Sequence, residues 1–211
     1  MHRNASTAAP FVVGRLESAT GSGVASSWRI TTDDADVASK AHVLFGAQKG
    51  ALQPGTNGRY EVATAVDSVE ILLDEPFAIC QRAVAWRNGT PIEILSRKPT
   101  CRDGEDRRSD SHEHLTIAER KTKARLGFAA EPEIAIYFRL AKSPVLGVFE
   151  FTTVSWSFAS DLACLSGREA PDAANLGTKA ALSLESVSFI SKNGPRAGSF
   201  VQYTKPVFVR I

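Results

Sequence analysis

Cysteine is scarce in this chain, with three in 211 residues: Cys80, Cys101 and Cys164. That is too few for a disulfide framework and predicts ordinary thiols in a reducing cytoplasm. Long apolar runs are missing too, so no membrane-spanning helix is expected. The stretch Met1–Pro10 is small and polar, without the apolar core of a signal peptide. Excess charge is lacking: 25 basic and 23 acidic residues leave a net +2. A chain so balanced is not a strongly basic nucleic-acid binder, and any such contact must come from a local patch. Reactive motifs are also missing. There is no G-x-S-x-G, no phosphate-binding Walker loop and no H-E-x-x-H. Gly21-Ser22-Gly23 lacks the third glycine of a dinucleotide loop and precedes a predicted strand. No catalytic constellation emerges, and the expectation is a binding protein without enzymatic activity.

What is present is ordinary globular composition, 43% hydrophobic and 23% charged, in a chain long enough for a useful core. The clearest unit runs from Pro144 to Gly167. Val148, Glu150, Thr152 and Val154 alternate with Phe149, Phe151, Thr153 and Ser155, the period of a strand. From Trp156 the period becomes helical, with Trp156, Ala159, Leu162 and Ala163 on one face, Ser155 placed to cap and Gly167 to stop. Strands are expected before it, over Ile134–Leu140, and after it, over Ala181–Ile190 and Gly198–Arg210, with a turn at Asn193-Gly194-Pro195.

A similar order is expected at the other end of the chain. Phe11–Glu17 and Ser27–Thr31 read as strands. Val37, Ala41, Leu44 and Phe45 then form a helical face that Thr32 or Asp33 can cap and Gly46 ends. Arg59–Val66 and Ser68–Leu73 read as strands joined at Asp67. The predicted fold is therefore α+β, with largely antiparallel sheets and two main helices. The chain is expected to be one compact unit: residues 11–79 a first β-β-α-β-β half, 80–127 a charged insert, and 128–211 a second such half.

The insert holds the residues with chemistry. From Arg97 to Arg125 nine basic side chains face six acidic ones, and Thr116–Arg125 can form a short basic helix. Cys80, Cys101, His112 and His114 are of the ligand types that tetrahedral zinc takes, though no CxxC or HxxxH spacing joins them, and plain surface residues explain them as well. Arg107, Arg108, Arg120, Lys121, Lys123 and Arg125 are candidates for contacting nucleic acid or a partner, with Trp86 as an exposed stacking residue. Trp28 and Trp156 are explained by core packing. Cys164, on the predicted helix, reads as a small buried hydrophobe.

Several stretches together carry a family resemblance: WRITTDDADVASKAHVLFG, RYEVATAVDSVEILL, CQR, LGVFEFTTVSWSFASDL, ALSLESVSFI and the closing PVFVRI. Their order and spacing resemble the recombination directionality factors that phages encode beside large serine integrases. Members have a strand-to-helix segment ending in glycine, a "YEV-T" strand, a cysteine-rich stretch beginning "CQRRC", an "LGVW-L-T-G" segment and a late "L-LE" strand. The resemblance spans roughly Val12 to Ile211. It implies a regulator without catalysis, which binds integrase already on DNA and permits excision (attL with attR) while inhibiting integration (attP with attB). The implied partner is the integrase, through its coiled-coil region, with DNA met mainly through it, no membrane, and a bacterial host cytoplasm as location. One departure concerns the cofactor. The "CQRRC" stretch stands here as Cys80-Gln81-Arg82-Ala83-Val84, without the second cysteine, so a zinc site of the relatives' kind is degenerate in this chain. The rival readings from the residues are a metal-dependent nucleotide or nucleic-acid hydrolase using the Cys/His segment, and a DNA-binding replication accessory protein using the basic patch.

Overall fold

The computed structural model describes residues 10–19, 27–46, 52, 54–55, 57–73, 78–87, 90–95, 114–166, 178–192 and 197–211; residues 86–87, 90–95 and 163–166 are described as backbone only. The fold is α+β. Among the described residues the strands are β1 (Val12–Ser18), β2 (Trp28–Thr32), β3 (Tyr60–Ala63), β4 (Ser68–Leu73), β5 (Ile79–Arg87), β6 (Thr90–Leu95), β7 (Glu131–Leu140), β8 (Val148–Thr153), β9 (Thr178–Ile190) and β10 (Phe200–Arg210). The helices are α1 (Ala35–Phe45), α2 (Ile117–Arg125) and α3 (Trp156–Ser166), with a 3-10 turn at Pro144–Leu146. The order β-β-α-β-β is present at both ends of the chain, but the pairing does not repeat. β1, β2 and β3 pair in sequence, whereas β8 lies between β7 and β1 and β9 pairs with β4 and β10.

The chain forms two compact units drawn from interleaved segments. The larger holds β1–β4, α1, β7 from Phe138, β8 to Glu150, β9 and β10. Its strand order is β10-β9-β4-β7-β8-β1-β2-β3. All pairings with a described register are antiparallel except that of β1 with β8. β3 and β4 are not the two arms of a hairpin: β3 pairs with β2, and β4 with β7 and β9. The chain passes from one neighbour to the other at Asp67. Its carbonyl accepts the Trp28 indole N–H at 2.9 Å and the Leu184 N–H at 2.8 Å.

The core of the larger unit follows from strand alternation. Trp28 and Ile30 on β2, Val69 and Ile71 on β4, and Phe138 and Leu140 on β7 are each two apart and each fully buried. Phe138 and Phe149 stack with ring centroids 6.2 Å apart. α1 covers β2 and β3 with Val37, Ala38, Ala41 and Phe45. Its cap is Asp34, one residue past those expected, and the carboxylate accepts the N–H groups of Asp36 and Val37. Where β1 meets β8 the register shifts between Val12 and Gly14. The bulge takes Val13 out of the ladder, and the buried Thr32 hydroxyl takes up its carbonyl at 2.6 Å.

The smaller unit holds β5, β6, α2, β7 to Tyr137, β8 from Phe151, and α3. The hairpin of β5 and β6 stands where the sequence predicts an irregular charged segment. β5 pairs with β7 from Ile79↔Ile136 to Val84↔Glu131. Tertiary pairing outweighs the weak local signal of Cys-Gln-Arg-Ala-Val. Among the described side chains of α3, Phe158 and Leu162 are buried, one turn apart, while Trp156 and Ala159 are half-buried. The expected face is therefore rotated, because the Phe158 ring packs on Phe151 at 5.6 Å. Ser155 caps the helix as expected, accepting the Phe158 N–H at 3.3 Å. The Asn193-Gly194-Pro195 turn and Gly167 lie outside the described residues.

Candidate functional site

Cys80 lies on β5 opposite Ala135 of β7 and is disulfide-bonded; its partner lies outside the described side chains. That departs from the ordinary thiol expected of it, and a disulfide sulfur has no thiolate to give a metal. Cys101, His112, Arg107 and Arg108 lie outside the described residues, and so does the Cys164 side chain. His114 is exposed in the turn before α2. Among the described residues no three His, Cys, Asp or Glu side chains are placed to hold a metal ion. The neighbouring Arg82 of the Cys-Gln-Arg stretch forms an ion pair across the strands with Glu133. Trp86 stands opposite Pro91 at an irregularity between β5 and β6, with its side chain outside the description.

The remaining candidates gather on α2, and its local sequence explains why it forms. Thr116 accepts the Glu119 N–H while Glu119 accepts the Thr116 N–H at 2.9 Å, a reciprocal capping box. The Thr116 hydroxyl and N–H hold the Glu119 carboxyl below its ordinary value of 4.5. At the other end Gly127 adopts φ +76°, where other residues are strained. Its N–H bonds Ala124 O and the Phe128 N–H bonds Lys123 O, both at 2.9 Å. Those two bonds are a Schellman ending, and they fix where the chain goes next.

The result is a knuckle in which charge and apolar surface adjoin. Ala124 and Arg120 are buried, while Lys123 and Arg125 are exposed and Lys121 half-exposed. Leu126 and Phe128, at 64% and 72% exposure, stand directly after them. Ile117 at the helix start is partly exposed as well. The knuckle brings together Lys121, Lys123 and Arg125 of the expected set and assigns Arg120 to the interior. Leu126 and Phe128 were missed, because they follow the helix and so break its period. The signal that could have found them is the Leu-Gly-Phe after a basic last turn, where glycine both stops the helix and turns the next side chain out.

A pocket of about 220 Å³ lies in the larger unit beside the start of α1, lined by Val13, Arg15, Thr31 and Arg59 among others. Both of its arginines are held in ion pairs. Arg59 Nε meets Asp33 Oδ1 at 2.9 Å, and Arg15 Nε meets Glu150 Oε2 at 3.1 Å. None of the candidates from the sequence lines it. Among the described residues no helix is long and apolar enough to cross a membrane. No protein-family model matches the chain, and no solved structure matches it at significance.

Proposed function

We propose that the protein is a recombination directionality factor: it binds a large serine integrase on DNA and turns site-specific recombination from integration to excision. The sequence resemblance supports the family. The observation that carries a docking role is the knuckle after α2, where Lys123 and Arg125 flank exposed Leu126 and Phe128. Exposed apolar side chains bordered by charge suit a protein partner with carboxylates beside an apolar stripe, as an amphipathic helix has. The integrase coiled-coil region is the partner of that chemistry, and DNA is met through it, inside the bacterial host cell. The factor shifts the outcome only as far as it prefers one integrase arrangement over another. No zinc is required for that role. The hydrolase reading loses a ligand with Cys80 in a disulfide.

The test is recombination by the cognate large serine integrase, on attP with attB and on attL with attR, with and without the protein. The expected result is loss of the first reaction and gain of the second. Unchanged products in both would overturn the proposal. Tight, steeply salt-dependent DNA binding by the free protein would instead favour the replication accessory reading.

A further inference from the structure

Where β1 and β2 stop pairing, the larger unit leaves a gap. Their last pair at that end is Arg15↔Thr31. Beyond it β1 has its bulge at Val13, and β2 gives way to Asp33 and the start of α1. The pocket of about 220 Å³ lies there. Val12 and Val13 give it an apolar lining, and Arg15, Thr31, Asp33 and Arg59 are among its polar groups.

Both arginines rise from a fixed base. Arg15 stands in the sheet between Thr31 of β2 and Glu150 of β8. The Arg59 N–H bonds Asn57 Oδ1 at 3.2 Å, and the Arg59 carbonyl accepts the Gly55 N–H at 2.6 Å. Neither ion pair uses up its guanidinium. Glu150 bonds Arg15 at Nε, and Asp33 bonds Arg59 at Nε. The terminal amino groups of both arginines make no hydrogen bond among the described residues, and neither does the half-buried Thr31 hydroxyl. A guanidinium held at Nε still presents its forked end to an oxyanion.

The two carboxylates are not held alike. The Glu150 side chain is 16% exposed and that of Asp33 74%. Asp33 can leave Arg59 for water at little cost, because exposed ion pairs contribute little. That sets the charge of the occupant. A single carboxylate would only replace Asp33 at equal charge. A phosphate monoester carries nearly two charges at neutral pH and three acceptor oxygens, enough for both guanidinia and the Thr31 hydroxyl. A phosphodiester, with one charge, gains no more than a carboxylate.

We propose that this pocket binds a dianionic phosphate group, of free phosphate or of a small phosphate monoester, between Arg15 and Arg59. Asp33 is the anion it displaces, and Glu150 stays in place to orient Arg15. Val12 and Val13 offer apolar contact to whatever carbon the phosphate carries. The site does not depend on the recombination reading.

Titration of the full chain at constant ionic strength, followed through the side-chain Nε–H signals of its arginines, tests it. The probes are inorganic phosphate, adenosine monophosphate and dimethyl phosphate. The Arg15 and Arg59 signals should shift and saturate with the first two and stay in place with the third. Tighter binding of adenosine monophosphate assigns an organic phosphate, and tighter binding of inorganic phosphate assigns the free ion. Affinity should fall about tenfold from about pH 7 to about pH 5, as the phosphate takes up a proton with its second pKa at about 6. Arg15→Gln or Arg59→Gln should abolish saturation. Arg29→Gln should not, since Arg29 pairs with Glu61 and does not line the pocket. Asp33→Asn removes the competing carboxylate and should tighten binding, a gain that loss of fold cannot produce. The proposal is overturned by the absence of a saturable shift, by equal binding of dimethyl phosphate, or by unchanged affinity in both pocket arginine variants. Asp33→Asn binding no better than the natural chain overturns it too.

Discussion

Gly147 shows how much one residue can hold. It connects the 3-10 turn to β8 at φ +110° and ψ −167°, a region essentially closed to side chains. A Cβ there would also lie 2.8 Å from Val13 Cγ1, at the bulge where β1 meets β8. Gly147→Ala is expected to destabilise the fold by about 1–3 kcal/mol, read as a lower midpoint in urea. Glu119 gives a prediction in pH. Its folded pKa is depressed, mainly by the Thr116 hydroxyl and then by the Thr116 N–H. The stabilisation is therefore complete above the unfolded value and is lost as pH falls through the folded one. Amide shifts of the first turn of α2 should move in that acid range and not near neutrality, and Glu119→Gln should remove most of the change. Cys80 gives a third. With one disulfide among three cysteines, a denatured sample kept free of reductant should titrate as one thiol. Three thiols would mean that the bond does not form, as a reducing cytoplasm implies.

Helices and strands differ in how openly they announce themselves. α1, α2 and α3 are written locally, all three in caps and α1 and α3 also in period: Asp34 before α1, the Thr116–Glu119 box before α2, Ser155 before α3. Their buried faces were less legible, because a face is chosen by what it meets. Phe158 is buried against Phe151, so α3 rotates away from Trp156. Phe158→Ala should therefore cost about 3–5 kcal/mol in an unfolding titration, and Trp156→Ala distinctly less. At the knuckle after α2, a Phe128→Ala and Lys123→Glu double variant should keep its fold and lose the switch in recombination direction. If that variant still redirects the integrase, the docking surface lies elsewhere.

At the scale of the whole molecule, the alternation of apolar and polar residues in this chain sufficed to establish an α+β protein and the order of elements at its two ends, but not the β5–β6 hairpin between them. Strand period and helix period are local properties, set by where successive side chains point. Nearness in the chain sufficed to place the basic residues of α2 close to one another, since Arg120 to Arg125 lie within about two turns of one helix. Partnership between strands was beyond the sequence alone. β3 and β4 adjoin in the chain yet pair with different neighbours, and β7 and β8 each contribute to both compact units. Such choices depend on the sum of burial over distant segments, which no local window contains. The same holds for exposure. Phe189 and Tyr203 have the character of core residues, and only the length of β9 beyond the end of β4 leaves them in water. Sequence supplied the period and the caps; the tertiary structure decided which apolar side chains found cover, because burial belongs to the neighbours as much as to the residue.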